Sequence, residues 1–189
     1  MNDEELLFNS ENAMEHFICE EIKKNGYNPF DESHVSKVYR QVRTGSHGVI
    51  DLVFVDYNDS SMEKTITIVE LKNKEMTFAD VDQILRYKAF FDALTDKRYQ
   101  STKFKYQLAG PPMSIEKLLK LTYLSDFINS NGIEIYEFWS REQKGVRRGE
   151  SMHYNQCRGG NIDHYNKGCD IEPIHGKETE EILNDLSWY

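Results

Sequence analysis

Two apolar, β-branched runs dominate the middle of the chain, at 49–56 (VIDLVFVD) and 65–71 (TITIVEL), with a polar turn at 57–64 between them. Runs of this length bounded by turn residues predict a β-hairpin. Ahead of them, Ser10 stands where a helix N-cap belongs. Ala13, Met14, Phe17, Ile18 and Ile22 then recur at helical spacing up to about Lys24, and Gly26 supplies the stop. A turn-rich loop at 27–34 leads into a short predicted strand at 35–42. Downstream, Thr77 with Asp80 three residues later marks the start of a second helix over 77–91. Its expected core stripe is Val81, Ile84, Leu85, Ala89 and Phe91. Residues 103–109 alternate as a strand, ended by Gly110, Pro111 and Pro112. Ser114 caps a predicted helix to about 129, with Leu118, Leu119 and Tyr123 on its core face. Residues 133–139 (IEIYEFW) alternate as a last strand, Glu134 and Glu137 pointing outward. This α-β-β-β-α-β-α-β order predicts an α/β (α+β) fold, a mixed central sheet flanked by helices.

After residue 139 the pattern changes. Residues 140–189 are rich in Gly, Asn, His and charge and poor in aliphatics. The expectation is one domain over 1–139 and a polar extension over 140–189, packed on the core or trailing it and closing in a short helix at 179–186. Arg141, Lys144, Arg147 and Arg148 form the one basic cluster of any size. His153, Cys157, His164, Cys169 and His175 are not spaced as zinc ligands.

Composition narrows the class. At 39% hydrophobic and 12% aromatic residues, the 189-residue chain can build a proper core. No apolar run approaches the ~20 residues needed to span a bilayer. The acidic start (MNDEELLFNS) lacks the basic opening of a signal peptide. Cys19, Cys157 and Cys169 do not make a disulfide framework. A cytoplasmic protein without membrane association is expected. The net charge of −9 excludes a broad basic face, so any contact with nucleic acid must be local.

The chemistry sits inside the hairpin. Asp51 lies between Ile50 and Leu52, and Glu70 between Val69 and Leu71, where buried strands should carry no acid. Alternation puts Glu70 and Lys72 on one face, and Asp51 on the face of Val49 and Val53. Two carboxylates and an ammonium on one patch of sheet are costly to desolvate unless something pairs them. A divalent cation is the natural partner, and magnesium suits hard oxygen ligands with several waters retained. Asp51, Glu70 and the Leu71 carbonyl can supply three ligand positions, with Lys72 beside a metal-bound water. One turn apart on the next helix, Gln83 and Tyr87 share a face that can approach the same patch.

Asp51, Glu70-Leu71-Lys72 and Gln83-Ile84-Leu85-Arg86-Tyr87 together resemble the PD-(D/E)xK nuclease superfamily, in particular its RecB-like branch with a QxxxY motif. The similarity covers about residues 11–139, with Ile50 in the place of the nominal Pro. It implies a restriction-endonuclease-like core and a Mg2+- or Mn2+-dependent (endo)nuclease acting on phosphodiester bonds, DNA being the expected substrate. It also implies a carboxylate on the opening helix. Glu15, set among the apolar positions, is expected to fill that role as a catalytic and metal-binding residue, with Glu11, one turn earlier, as the alternative. Gln83 would hold a ligand carboxylate or a nucleotide, and Tyr87 would donate to a phosphate or stack on a base. Arg43, opening the turn Arg43-Thr44-Gly45-Ser46-His47-Gly48, would bind a phosphate. The rival expectation is a catalytically dormant module of the same fold that binds a protein or nucleic-acid partner, or a homo-oligomer.

Overall fold

The computed structural model describes residues 10–58, 63–94, 102–111, 132–139, 145–148, 174–179 and 182. The first helix, α1, runs Glu11–Asn25. Ser10 Oγ accepts the Ala13 N–H at 3.1 Å, and Gly26, at φ 73°, turns its own N–H back to the Ile22 carbonyl. These caps satisfy backbone groups that a helix end leaves orphaned. The strands are β1 (Lys37–Arg43), β2 (Val49–Asn58), β3 (Glu63–Leu71), β4 (Thr102–Gly110), β5 (Ile133–Trp139), β6 (Gly145–Arg148) and β7 (Ile174–His175). A second helix, α2, spans Phe78–Leu94 between β3 and β4.

The strands form one mixed sheet in the order β6-β5-β4-β3-β2-β1-β7. β2 and β3 are the expected antiparallel hairpin, while β3 and β5 run parallel to β4. A parallel neighbour needs a crossover, and α2 supplies the one between β3 and β4. The described parts of the polar extension lie at opposite edges of the sheet, β6 on β5 and β7 on β1, and Ile182 is buried in the core. The predicted helix at 114–129 lies outside the described residues, as do Arg141, Lys144, His153, Cys157, His164 and Cys169. So do the side chains of Arg147, Arg148 and His175. No described helix is long and apolar enough to cross a membrane.

Each face of the sheet has its own core. On one, Ile18 and Ile22 of α1 meet Leu52, Phe54, Val69 and Leu71. On the other, Val81, Ile84, Tyr87 and Phe91 of α2 meet Ile50, Val53, Ile66, Ile68 and Leu108. Each such fully buried side chain contributes roughly 1.5–3 kcal/mol. The α2 stripe differs from the expected one. Ala89 is exposed, Leu85 is half-buried, and Tyr87 is buried on the line Ile84–Phe91. The spacing i, i+3, i+7 is helical and favours the larger apolar body. Glu134 also departs from expectation. It is half-buried and accepts bonds from Gln107 and from the Tyr136 hydroxyl.

Candidate active site

The β2–β3 ladder stops at the pair Leu52–Val69. Beyond it the Leu71 N–H goes to the side chain of Asp51, whose Oδ2 accepts it at 2.8 Å. β3 meanwhile stays paired with β4 through Leu71 and Ala109, and the Lys72 N–H continues that ladder to the Ala109 carbonyl. The sheet therefore forks between β2 and β3, and the fork is where the unusual acids stand.

Glu70 points to the α2 side of the fork. Its side chain is 3% exposed, and its Oε1 accepts a bond of 2.6 Å from Lys72 Nζ. Its other oxygen, Oε2, is buried with no hydrogen-bond partner among the described residues. Lys72 also donates to Gln83 Oε1 at 3.3 Å and lies 3.7 Å from Asp80. Asp80 reaches back to the Thr77 N–H at 2.7 Å, the return half of a capping box, so α2 is anchored at the site by its own first turn.

Burial is the main reason that both carboxyls titrate high. It pushes Asp51 up to about 6, against the Leu71 N–H and the Lys72 ammonium, with Glu11 and Glu15 adding repulsion. It pushes Glu70 up to about 8, with the Asp51 charge as the next cause and Lys72 opposing. Burial is the largest influence on the Lys72 ammonium and works against it, but the bond to Glu70 and the charges of Glu70, Asp80 and Glu11 together raise the group above its ordinary value. Glu70 thus feels the charge of Asp51.

The sign of the linkage follows. Both folded pKa values lie above the ordinary 3.8 and 4.5, so the folded state binds the extra protons. The stabilisation is complete below the ordinary carboxylate range and is lost as pH rises through about 6 and then about 8. The protein in chelator is expected to melt several degrees lower at pH 8.5 than at pH 5. Differential scanning calorimetry across that range checks it, and a melting temperature that rises with pH contradicts it.

The structure places the other expected residues less uniformly. Glu15 is buried, but both its oxygens are engaged, Oε1 by Arg40 Nε and Oε2 by Gln41 Nε2 at 2.8 Å. Among the described residues no three His, Cys, Asp or Glu side chains gather tightly enough to hold an ion, so a shell that adds Glu15 to Asp51 and Glu70 is not formed. The charge of Glu11, one turn earlier on α1, raises the pKa of Asp51, Glu70 and Lys72 alike.

Tyr87 cannot stack on a base. It is fully buried, and its hydroxyl donates to the Val49 carbonyl at 2.8 Å while accepting from Gln83 Nε2 at 2.8 Å. It is a strut between α2 and the mouth of β2. A Cβ on Gly48, which has φ 117°, would lie 3.4 Å from that hydroxyl, so the turn into β2 is shaped for it. Gln83 spans from Tyr87 to Lys72 and fixes the ammonium rather than reaching outward. Arg43 is 65% exposed, and its one close carboxylate is Glu178 at 3.8 Å; no described contact brings it to the fork. In the same turn the Thr44 hydroxyl is committed to the Gly48 carbonyl at 2.7 Å, and the His47 ring rests on Phe90.

Two residues of β1 went unnoticed in the sequence. Arg40 and Gln41 sit in what reads as an ordinary half-exposed strand, and nothing in their spacing marks them. No protein-family model, curated protein or solved structure matches the chain. The functional reading therefore stands on the residues and their geometry.

Proposed function

We propose that the chain is a Mg2+- or Mn2+-dependent nuclease with a restriction-endonuclease-like core, hydrolysing phosphodiester bonds, DNA being the expected substrate. The observation that carries this is Glu70 Oε2, a buried carboxylate oxygen with no hydrogen-bond partner among the described residues, beside a second raised carboxyl at the end of a forked ladder. Buried polar atoms are almost always satisfied, and one left bare beside a second acid needs an explanation. A hard cation supplies it. Asp51, Glu70 and the Leu71 carbonyl would hold the ion, and two carboxylates suit magnesium, which keeps several of its waters.

When bound, such an ion polarises a phosphoryl oxygen and makes a bound water a stronger nucleophile. The residues of the chain do the rest. Asp51 is held by the Leu71 N–H, so it meets a cation without reorganising. Glu11 adds negative charge to the site, which favours a cation and repels a bare phosphate. Lys72 is held as an ammonium by its bond to Glu70, and its raised pKa suits charge compensation at the scissile phosphate rather than proton removal. Gln83 and Asp80 restrain it, and Tyr87 fixes the helix that carries Gln83.

The test is metal-dependent cleavage of single-stranded, duplex and branched DNA, with Asp51→Ala as the control. The expected result is cleavage in Mg2+ or Mn2+ that disappears with chelator and in the variant. Cleavage by the variant at the wild-type rate, or none by either protein with any metal, would leave the fold as a module for a protein or nucleic-acid partner.

A further inference from the structure

The two strands facing each other beside the fork are irregular at the same level. In β2, Ile50 and Val53 both enter the α2-side core, so alternation breaks across Asp51 and Leu52. In β1, Tyr39 and Val42 both enter that core, so alternation breaks across Arg40 and Gln41. Gln41 and Asp51 fall opposite each other, between the pairs Arg40–Leu52 and Val42–Ile50. Gln41 has φ 52°, a left-handed backbone in the middle of a strand. Such a conformation is strained in a non-glycine residue and persists where its surroundings over-determine it.

We propose that Gln41 is a positioning residue for the cation-binding carboxylate, its side-chain amide tying Asp51 to the Arg40–Glu15 pair. The inference rests on the reading of Asp51 and Glu70 as cation ligands. Gln41 Nε2 lies 2.8 Å from Glu15 Oε2 and 3.3 Å from Asp51 Oδ1. Arg40 holds the other Glu15 oxygen and also reaches Asn12 at 3.3 Å. The chain Asn12–Arg40–Glu15–Gln41–Asp51 therefore links α1, β1 and β2.

Its chemistry is specific. Asp51 and Glu15 are acids on neighbouring elements, and the neutral Gln41 amide stands between them as a donor to both. Arg40 cancels the Glu15 charge, so the charge of Asp51 remains for a cation. Asp51 is then held at both oxygens, Oδ2 by the Leu71 N–H and Oδ1 by Gln41. The left-handed backbone is what turns the Gln41 side chain to the α1 side, where Glu15 lies. Groups that orient a metal ligand from behind are typically worth 10–100-fold in affinity.

The experiment is Mn2+ titration calorimetry on the full chain at fixed pH, with melting curves in chelator, for wild type, Asp51→Ala, Gln41→Gly and Gln41→Asn. Glycine and asparagine both accept a left-handed backbone, but neither side chain spans Glu15 to Asp51. The expected result is binding by wild type, none by Asp51→Ala, and ~10–100-fold weaker binding by both Gln41 variants with melting temperatures near wild type. Wild-type affinity in the Gln41 variants overturns the assignment and leaves the cation site standing. Affinity lost only in step with melting temperature, in both variants, makes Gln41 a fold residue and also overturns it. No binding by wild type, or equal binding by Asp51→Ala, removes the cation site itself and the positioning role with it.

Discussion

Replacing Lys72 with methionine is expected to lower DNA cleavage by about 10³-fold while leaving Mn2+ affinity equal to wild type or tighter. The stem of the side chain is conserved in length, so packing at the fork changes little. What disappears is an ammonium held at three points, 2.6 Å from Glu70, 3.3 Å from Gln83 and 3.7 Å from Asp80. A preorganised charge at a reacting phosphate is worth roughly 10²–10³ in rate. Metal affinity should move the other way, because in the metal-free protein Lys72 occupies Glu70 Oε1 and competes for it. Lys72→Arg should not restore the rate, since a planar guanidinium cannot take the place of a compact ammonium between Glu70 and Gln83. Single-turnover cleavage and calorimetric titration of the same preparations separate the two effects. Cleavage within threefold of wild type would remove Lys72 from the chemistry. Lost cleavage together with lost metal binding would make it a prop for Glu70 instead.

The sequence made the elements legible because their signals are local. Ser10 and Gly26 bound α1, Thr77 with Asp80 starts α2, and the two β-branched runs form the hairpin they predict. Glu70 and Lys72 share a face as expected, since a regular strand keeps period two and β3 is regular there. Asp51 does not lie on the face that period two predicts. Period two groups it with Val49 and Val53, yet Val53 is in the α2-side core, Val49 is 43% exposed, and Asp51 turns to Gln41 and the Leu71 N–H. A break in alternation that is matched on the facing strand leaves no trace in either strand alone.

The helix residues show a second limit. Glu15 and Glu11 are one turn apart and share a face, so periodicity cannot rank them. What distinguishes them is Arg40, which comes from another element and engages Glu15. Tyr87 fails differently. Its spacing from Gln83 is right, but an aromatic ring at i+3 from Ile84 is also a core position, and burial decided between them. Ring and hydroxyl are used at once, the one in the core and the other on the Val49 carbonyl.

Because Arg40 sequesters Glu15, its removal should be costly to the fold. The two side chains are 14% and 3% exposed, and the Glu15 carboxylate has one further donor, the Gln41 amide. Arg40→Met leaves that charge buried and uncompensated, beside Asp51 of the same sign. Breaking a buried pair in this way costs about 3–5 kcal/mol, roughly a fifth or more of the stability of an ordinary domain. Urea denaturation in chelator should show the midpoint falling accordingly with the slope unchanged. The double variant Arg40→Met, Glu15→Leu should regain most of the loss, since an apolar pair of similar volume removes both desolvation penalties. It should not regain metal affinity, because the Gln41 amide would then have Asp51 as its one carboxylate and no anchor on α1. A single variant as stable as wild type would mean that the Arg40–Glu15 pair is solvated in solution, and the restraint it places on Gln41 would go with it. Stability and metal affinity recovering together in the double variant would mean that Glu15 matters to the cation site only by its charge.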